Sequence, residues 1–535
     1  MEDSGNVPNA KRLLWAGFLA IFAAGVGFAI RGGIVATLEK DFGFSGSQLG
    51  AVNGMMFNGF CFGIIIGGIM ADKIGYKVLI IEAFACHVAS ALMVFMITKG
   101  QTAEQAYPYL YWSTFIFGFA NGTLEAVANP LVATIFPNNR THYLNILHAS
   151  WPAGMMAGAL VGIFLGERMQ LDWKIQLALY LVPVILYGLM FLGQAMPKSE
   201  ASSKGLSLGE MFKDVGILGG LVACLLLAQF FNKSLGFPTV AAYGVAAALL
   251  GVIAFITNFS IGSPLLFTLF LAHALIGSVE LGTDSWIQNI TGNILDPETG
   301  KWLFLYTSLG MFGLRFCAHF IENTLKLSPI GLLLVCSVLA CIGLNLVSSA
   351  DSMVMFLVAL SVYCVGKTFF WPTMLAVASD RFPRTGAIAI SLMGGIGMMS
   401  VGMIGGPGLG YAKDRFTAQN FKEKNPALFD TYKAKDDKGA DVYSNFPLPV
   451  VDSIQPLDGK KLGEAKSKKE AERTPDEKAL YESSKVGDRA TLKADSFIPA
   501  TMALIYLALA LYFKSIGGYK QVHIVTTKEG EAVTA

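Results

Sequence analysis

Charge is scarce in this sequence. Of 535 residues, 15% are Asp, Glu, Lys or Arg, against roughly 25% in soluble domains. Hydrophobic residues make up 53%, and the mean hydropathy is +0.53. A water-soluble fold of this size could not cover its surface. Net charge is +2, so there is neither a basic excess for nucleic acid nor an acidic solvating tail. A disulfide framework is lacking too: Cys61, Cys86, Cys224, Cys317, Cys336, Cys341 and Cys364 all fall in apolar runs. No CxxC or Cys/His cluster proposes a metal. There is no Walker loop, nucleophile elbow or HExxH pair, so the chain is not expected to be an enzyme or an ATP-driven pump, and no catalytic residue is assigned.

What charge there is lies unevenly. The segment 415–495 holds 16 Lys/Arg and 15 Asp/Glu of the chain's 78 charges. The rest is a polytopic membrane protein by composition, all-α, since a bilayer core of roughly 30 Å takes about 20 apolar residues per helix. Apolar runs lie at 13–38, 47–71, 77–98, 108–136, 143–166 and 174–196, then 215–231 and 238–258, then 264–291, 302–323, 329–349, 352–379, 386–412 and 496–513. These fourteen expected spans group as six, two and six. The first run is longer than the apolar core of a cleavable signal and is expected to stay. The domains expected are an N-terminal six-helix half (1–196), a linker with two extra helices (197–263) and a C-terminal six-helix half (264–535). Within the last, 415–495 is a charged outer loop, helical only over 461–486. With the N-terminus inside, short inner loops carry fourteen Lys/Arg and short outer loops six. That bias predicts a multi-pass protein of the cell membrane with both termini cytoplasmic. Trp15, Trp112, Trp173 and Trp302 sit at span ends, as interfacial anchors do; Trp151, Trp286 and Trp371 do not.

Two blocks of six spans of the same sense suit a transporter built from parallel halves with its substrate between them. The link between the second and third spans reads GGIMADKIGYK, Gly67 to Lys77. Its pattern of Gly68, Asp72, Lys73, Gly75 and Lys77 resembles the loop signature of the major facilitator superfamily. A narrower resemblance, to the fucose:proton symporter family, rests on NGTLEAVANPLVATIFP (Asn121 to Pro137), LNILHASWPAG (Leu144 to Gly154), VELGTDSWIQN (Val279 to Asn289) and Gly313-Leu-Arg315-Phe316. The sequence departs from that family on the first helix, where an acid is replaced by Arg31-Gly32, and in the extra pair of spans, read as a spacer or lipid-facing hairpin.

Ionisable groups in a bilayer core are costly and mark cavities or pairs. Away from span ends these are Arg31, Glu125, Glu280, Asp284, Arg315 and Lys367, three cations facing three anions. Helical spacing gathers them into stripes: Asn121, Glu125 and Asn129; His273, Glu280, Asp284 and Gln288; Tyr363, Lys367 and Trp371; Asn145, His148 and Trp151. Arg31, Asn121, Asn129, Asn145, His148, Trp151, Asp284, Gln288, Lys367 and Trp371 are the candidate substrate contacts. A carboxyl group in a low dielectric favours its neutral form, so Glu125 and Glu280 are the candidates for proton coupling. The leading expectation is a proton-coupled sugar symporter working by alternating access. Its rivals are an organic-anion carrier, in which Arg31, Lys367 and Arg315 are the candidates to bind a carboxylate or phosphate, and a non-transporting membrane sensor with 415–495 as its ligand-reading part. The partners expected are a small solute and the lipid bilayer, without nucleic acid. No cofactor is expected beyond a proton gradient as driving force.

Overall fold

A computed structural model describes residues 7, 9–42, 46–98, 100–197, 207–435, 439–446, 451–526 and 532–534. Six long helices come first: α1 (Ala10–Gly33), α2 (Gly46–Ile74), α3 (Tyr76–Phe95), α4 (Ala103–Ile135), α5 (Arg140–Gly166) and α6 (Trp173–Phe191). A hairpin of α7 (Gly216–Lys233) and α8 (Thr239–Ile256) follows. Then come α9 (Pro264–Ile294), α10 (Pro297–Arg315), α11 (Pro329–Ser348), α12 (Met353–Arg381), α13 (Ala387–Lys424) and α14 (Pro475–Ser515). Twelve helices among the described residues are long and apolar enough to cross a membrane. The expected spans 108–136 and 302–323 fall on α4 and α10, which are helical but outside those twelve, so the count of fourteen is not confirmed. Both are diluted by polar residues that the fold buries, among them Asn121, Glu125 and Asn129 on α4 and Arg315 on α10.

Close backbone approach fixes the first helices. On α2, a Cβ at Gly59 or Gly63 would fall 2.1 and 2.0 Å from the carbonyls of Phe115 and Phe119 on α4. Gly118 and Gly122 of α4 meet the carbonyls of Met56 and Phe60 reciprocally, each at 2.0 Å. Small residues every fourth position let the two helices touch along their length. Gly154, Gly158 and Gly162 recur at every fourth position of α5 but meet different surroundings: Gly154 and Gly158 lie against Phe22 and Val26 carbonyls of α1, while Gly162 faces open space.

The α7–α8 hairpin packs through Gly219 on Phe270 of α9 and through Phe230 on Phe62 of α2. Its second helix presents Val240, Val252 and Phe255, at 87, 57 and 75% exposure, to the surroundings, as a lipid-facing helix does.

The charged segment differs from its expectation. A helix of 38 residues, as α13 is, runs about 57 Å at 1.5 Å per residue, nearly twice a bilayer core. Its far arm Gly406–Lys424 and the arm Pro475–Asp495 of α14 pair as a projecting antiparallel unit. Short helices Pro426–Tyr432 and Gly459–Ser467 fold onto it. Ala418, Phe421, Phe429, Leu457, Ala465 and Leu480 close a small core of its own. Helix is therefore not confined to 461–486. The few apolar residues, widely spaced in a charged sequence, meet only in three dimensions, and a Thr474/Glu477 capping box with Pro475 at the first turn starts the returning helix.

Candidate functional site

A cavity of about 970 Å³ opens at the end of the bundle that carries the 97–100 and 170–174 connections. Its walls come from Phe28, Arg31, Asn53, Met56, Phe57, Trp173 and Gln176 on one side, and from Asp284, Ser285, Gln288, Lys301 and Phe304 on the other. The opposite end, which carries Asn9 and residues 519–522, is bridged between the two sets of helices. Arg140 meets Asp380 at 3.5 Å and the Ser379 carbonyl at 3.2 Å. The C-terminal strand of chain lies across it, with Val522 N donating to the Asp380 carbonyl (2.8 Å) and Gln521 to the Pro137 carbonyl (3.3 Å). Gly68 of the loop motif abuts Ser391 of α13, whose Cβ a substituent there would meet at 2.2 Å. Gly75 turns the chain at φ +80° and Lys73 and Lys77 are exposed; the side chain of Asp72 lies outside the described residues.

Arg31 forms part of the cavity wall yet is 6% exposed. Its guanidinium stacks 3.9 Å above the Phe117 ring and lies 5.7 Å from that of Tyr180. Nη1 donates to the Gly27 carbonyl at 3.4 Å, and Nε and Nη2 have no hydrogen-bond partner among the described residues. The site thus holds a desolvated cation beside the Tyr180 side chain, with two guanidinium nitrogens that make no hydrogen bond among the described residues.

The other ionisable groups form a layer at the seam between the two sets of helices. Arg315 is fully buried: Nη2 donates to Glu280 Oε1 at 2.8 Å, Nε to the Thr368 carbonyl at 3.0 Å, and Nη1 to the His148 carbonyl of α5. Glu280 Oε2 accepts from Trp371 N at 3.2 Å. Lys367 contacts Asp284 directly and sits 5.3 Å from the Tyr363 ring centre. Asn129 Nδ2 donates to Glu125 Oε2 (3.3 Å), and its Oδ1 is 2.8 Å from His148 Nε2. With that amide orientation, the neutral imidazole carries its proton on Nε2 and turns Nδ1 toward Glu125 Oε1, 4.0 Å away. The three-against-three balance therefore resolves into two made pairs, Arg315–Glu280 and Lys367–Asp284. Arg31 is left without a carboxylate in contact among the described residues, and Glu125 contacts Asn129 and His148.

Of the expected substrate contacts, Arg31, Asp284 and Gln288 line the cavity. Asn129, His148 and Lys367 are in the layer beneath. Asn121 turns away, accepting from His87 Nε2 at 2.9 Å. Asn145 donates back to the Thr141 carbonyl at 2.8 Å. Trp151 packs 5.5 Å from Phe28, and Trp371 4.5 Å from His273. Trp173, expected as an interfacial anchor, is 7% exposed and forms cavity wall against Phe42; Trp15, Trp112 and Trp302 are exposed at 45, 44 and 42%. Sequence reasoning missed Phe117 and Tyr180 under Arg31, and it missed His87, a lone histidine in the third apolar run that could have been counted with His148 and His273.

A broken-helix layer of ion pairs beneath a one-sided cavity is the arrangement expected of an alternating-access carrier. The family model described as Major Facilitator Superfamily matches residues 17–407, well over half of the chain. The chain belongs to the major facilitator superfamily. Among curated members it is 28% identical to a 4-hydroxybenzoate transporter of Acinetobacter baylyi over 153 residues, covering 28% of this chain and 31% of that protein. It is also 28% identical to a niacin transporter of the same organism over 166 residues, covering 30% and 36%. The chain thus spans well under half the length of these relatives. Among solved major facilitator structures, a bacterial homologue of the human lysosomal transporter Spinster, inward-facing and unoccupied, superposes with a TM-score of 0.58 at 16% identity, covering 96% of this chain and 99% of that one. FucP in its outward conformation gives 0.53 at 16%, covering 76% and 92%. These likenesses establish the fold; the narrower resemblance to the fucose:proton symporters is not confirmed.

Proposed function

We propose that this protein is a proton-coupled secondary transporter of a small organic anion, with an aromatic monocarboxylate as the preferred cargo. The observation that carries the reading is Arg31: a buried guanidinium at a cavity wall, its Nε and Nη2 making no hydrogen bond among the described residues. Such a group is suited to a carboxylate, which takes two parallel N–H donors. Phe28 and Phe57 on the Arg31 side of the cavity and Phe304 on the facing side suit a flat ring. The relatives that carry 4-hydroxybenzoate and niacin agree in ligand chemistry. In this reading the halves 1–196 and 264–535 rock about the layer of ion pairs, and opening the terminal end requires the Arg140–Asp380 contact to part. Glu125, which contacts Asn129 and His148 and is paired with no Lys or Arg among the described residues, takes up the coupling proton, so that anion on Arg31 and proton on Glu125 together neutralise the site. The protein sits in the cell membrane with both termini cytoplasmic, and the cavity faces outward. A sugar as cargo draws on the amides Asn53, Gln176 and Gln288 in the cavity wall.

The test is uptake into proteoliposomes of labelled nicotinate, 4-hydroxybenzoate and xylose under an inward proton gradient. Saturable uptake of a carboxylate, lost in Arg31→Gln, is expected. Uptake of xylose alone, unaffected by Arg31→Gln, would move the assignment to the sugar; binding of a carboxylate without accumulation would make the protein a sensor.

A further inference from the structure

The charge-rich segment buries two of its own acids against the helix that forms one wall of the cavity. α9 is not one regular helix: a π-helical stretch, Ser278–Gly282, separates Pro264–Gly277 from Thr283–Ile294. Such wide turns uncouple the rotation of a helix on either side and often mark working sites. The half that follows carries the cavity-facing Asp284, Ser285 and Gln288, so something beyond its own backbone must fix which way they point.

The arm Pro475–Asp495 of α14 supplies that fixing. At one end, Thr283 Oγ1 donates to Asp495 Oδ2 at 2.5 Å. Asp495 is 2% exposed, and its Oδ1 has no hydrogen-bond partner among the described residues. Nearly three turns on, Asn293 Nδ2 donates to Asp488 and, at 2.7 Å, to Ser484, while Tyr481 donates to the Asn293 carbonyl at 3.1 Å. Lys413 closes the group, 2.9 Å from Asp488 and donating to Asn289 at 2.6 Å. At 3.6 residues per turn, Thr283 and Ser285 lie about 200° apart around the helix. The arm therefore holds the back of the helix whose front is cavity wall. Adhesion alone would be served by apolar packing; burying a carboxylate against a single hydroxyl donor is expensive but directional.

We propose that Asp495, supported by Asp488, is a positioning residue for transport: through Thr283 and Asn293 the segment 415–495 sets the rotation of the Thr283–Ile294 half of α9 and so presents Asp284, Ser285 and Gln288 to the cargo. The segment is part of the transport machinery rather than an appendage. This rests on the transporter reading only for what the positioned residues touch.

The test separates the two. In full-length protein carrying Cys317→Ser, because Cys317 is exposed, a reporter cysteine is placed on the positioned wall (Ser285→Cys) or on the opposite wall (Thr37→Cys) and labelled with a membrane-impermeant maleimide. Asp495→Ala should change the labelling rate at position 285 about fivefold and leave position 37 unchanged. Thr283→Val should do the same, with no further change in the double variant, and Asp495→Asn, whose carboxamide oxygen still accepts from Thr283, should keep the parental rate. In uptake of labelled nicotinate, Asp495→Ala should raise KM with little change in the maximal rate. An unchanged rate at 285 in both single variants, or equal changes at 285 and 37, overturns the positioning role. Wild-type protein that takes up neither nicotinate nor 4-hydroxybenzoate while labelling responds as described overturns the anion reading and leaves the positioning intact.

Discussion

Replacing Arg31 by methionine should have two effects of opposite sign. Methionine keeps most of the length and the stacking on Phe117 while removing the charge. A buried cation without a carboxylate partner carries a desolvation penalty of several kcal/mol; its attraction to Phe117, with the ring centre 3.9 Å away, returns about 0.5–2 kcal/mol. The ligand-free protein should therefore gain about 1–3 kcal/mol on substitution, read as a rise of a few degrees in Tm in detergent. Binding moves the other way. A charge-assisted hydrogen bond is worth about 1.5–3 kcal/mol, so losing the guanidinium should raise the dissociation constant for 4-hydroxybenzoate about 10- to 150-fold. The assay is a thermal shift series with and without 4-hydroxybenzoate on parent and Arg31→Met. The parent should be stabilised by ligand, by about 2.7 kcal/mol at a hundred times Kd, and the variant should start higher and respond less. A variant that starts lower, with the same ligand response, would show that Arg31 is a packing residue and refute the reasoning.

Three further outcomes follow from the geometry. Glu125→Gln and Glu280→Gln should both abolish gradient-driven uptake, but only Glu280→Gln strands Arg315, at about 3–5 kcal/mol, so Tm should fall clearly in that variant and little in Glu125→Gln. Gly63→Ala places a methyl 2.0 Å from the Phe119 carbonyl and should cost well over about 1 kcal/mol, because helix backbones must part; Gly162→Ala, which faces open space, should leave Tm within about a degree. Burial, with the Lys413 charge nearby, pushes Lys466 down to about 8 from 10.5. The folded state thus gives up this proton before the unfolded chain does, and the cost of the buried charge is complete below pH 8 and fades between 8 and 10.5. Lys466→Met should accordingly raise the Tm at pH 7 by a few degrees, an advantage that shrinks toward pH 10; a constant difference would refute the titration.

How far the site was legible depended on what each residue type costs in a bilayer. Arg31, Glu125, Glu280, Asp284, Arg315 and Lys367 announced themselves because a charge in an apolar run is expensive wherever it points. Which of them paired was not legible, since Arg315 and Glu280 are 35 positions apart in the chain and meet only across helices. The polar stripe on α4 is legible in the spacing, yet its members divide: Asn121 serves His87, and Asn129 joins Glu125 to His148. Stripe membership fixes the side of a helix, not the neighbour it meets. His87 escaped notice because a single histidine in an apolar run has no periodic partner. Asp488 and Asp495 escaped because they belong to a region where charge is cheap by composition, and burial there is set by tertiary packing.

By itself the sequence determined that the chain is helical and membrane-embedded, because backbone hydrogen bonds in a bilayer can be satisfied within a helix and apolar runs of this length leave few alternatives. It determined the superfamily through the Gly68 to Lys77 loop, where close approach and charge must coincide at a fixed spacing. Tertiary structure alone decided that two ion pairs are made and Arg31 is left over. It also decided that the charged segment folds back, on a small core, to grip the cavity wall. Both depend on distances between residues far apart in the chain, and helical periodicity carries no information about those.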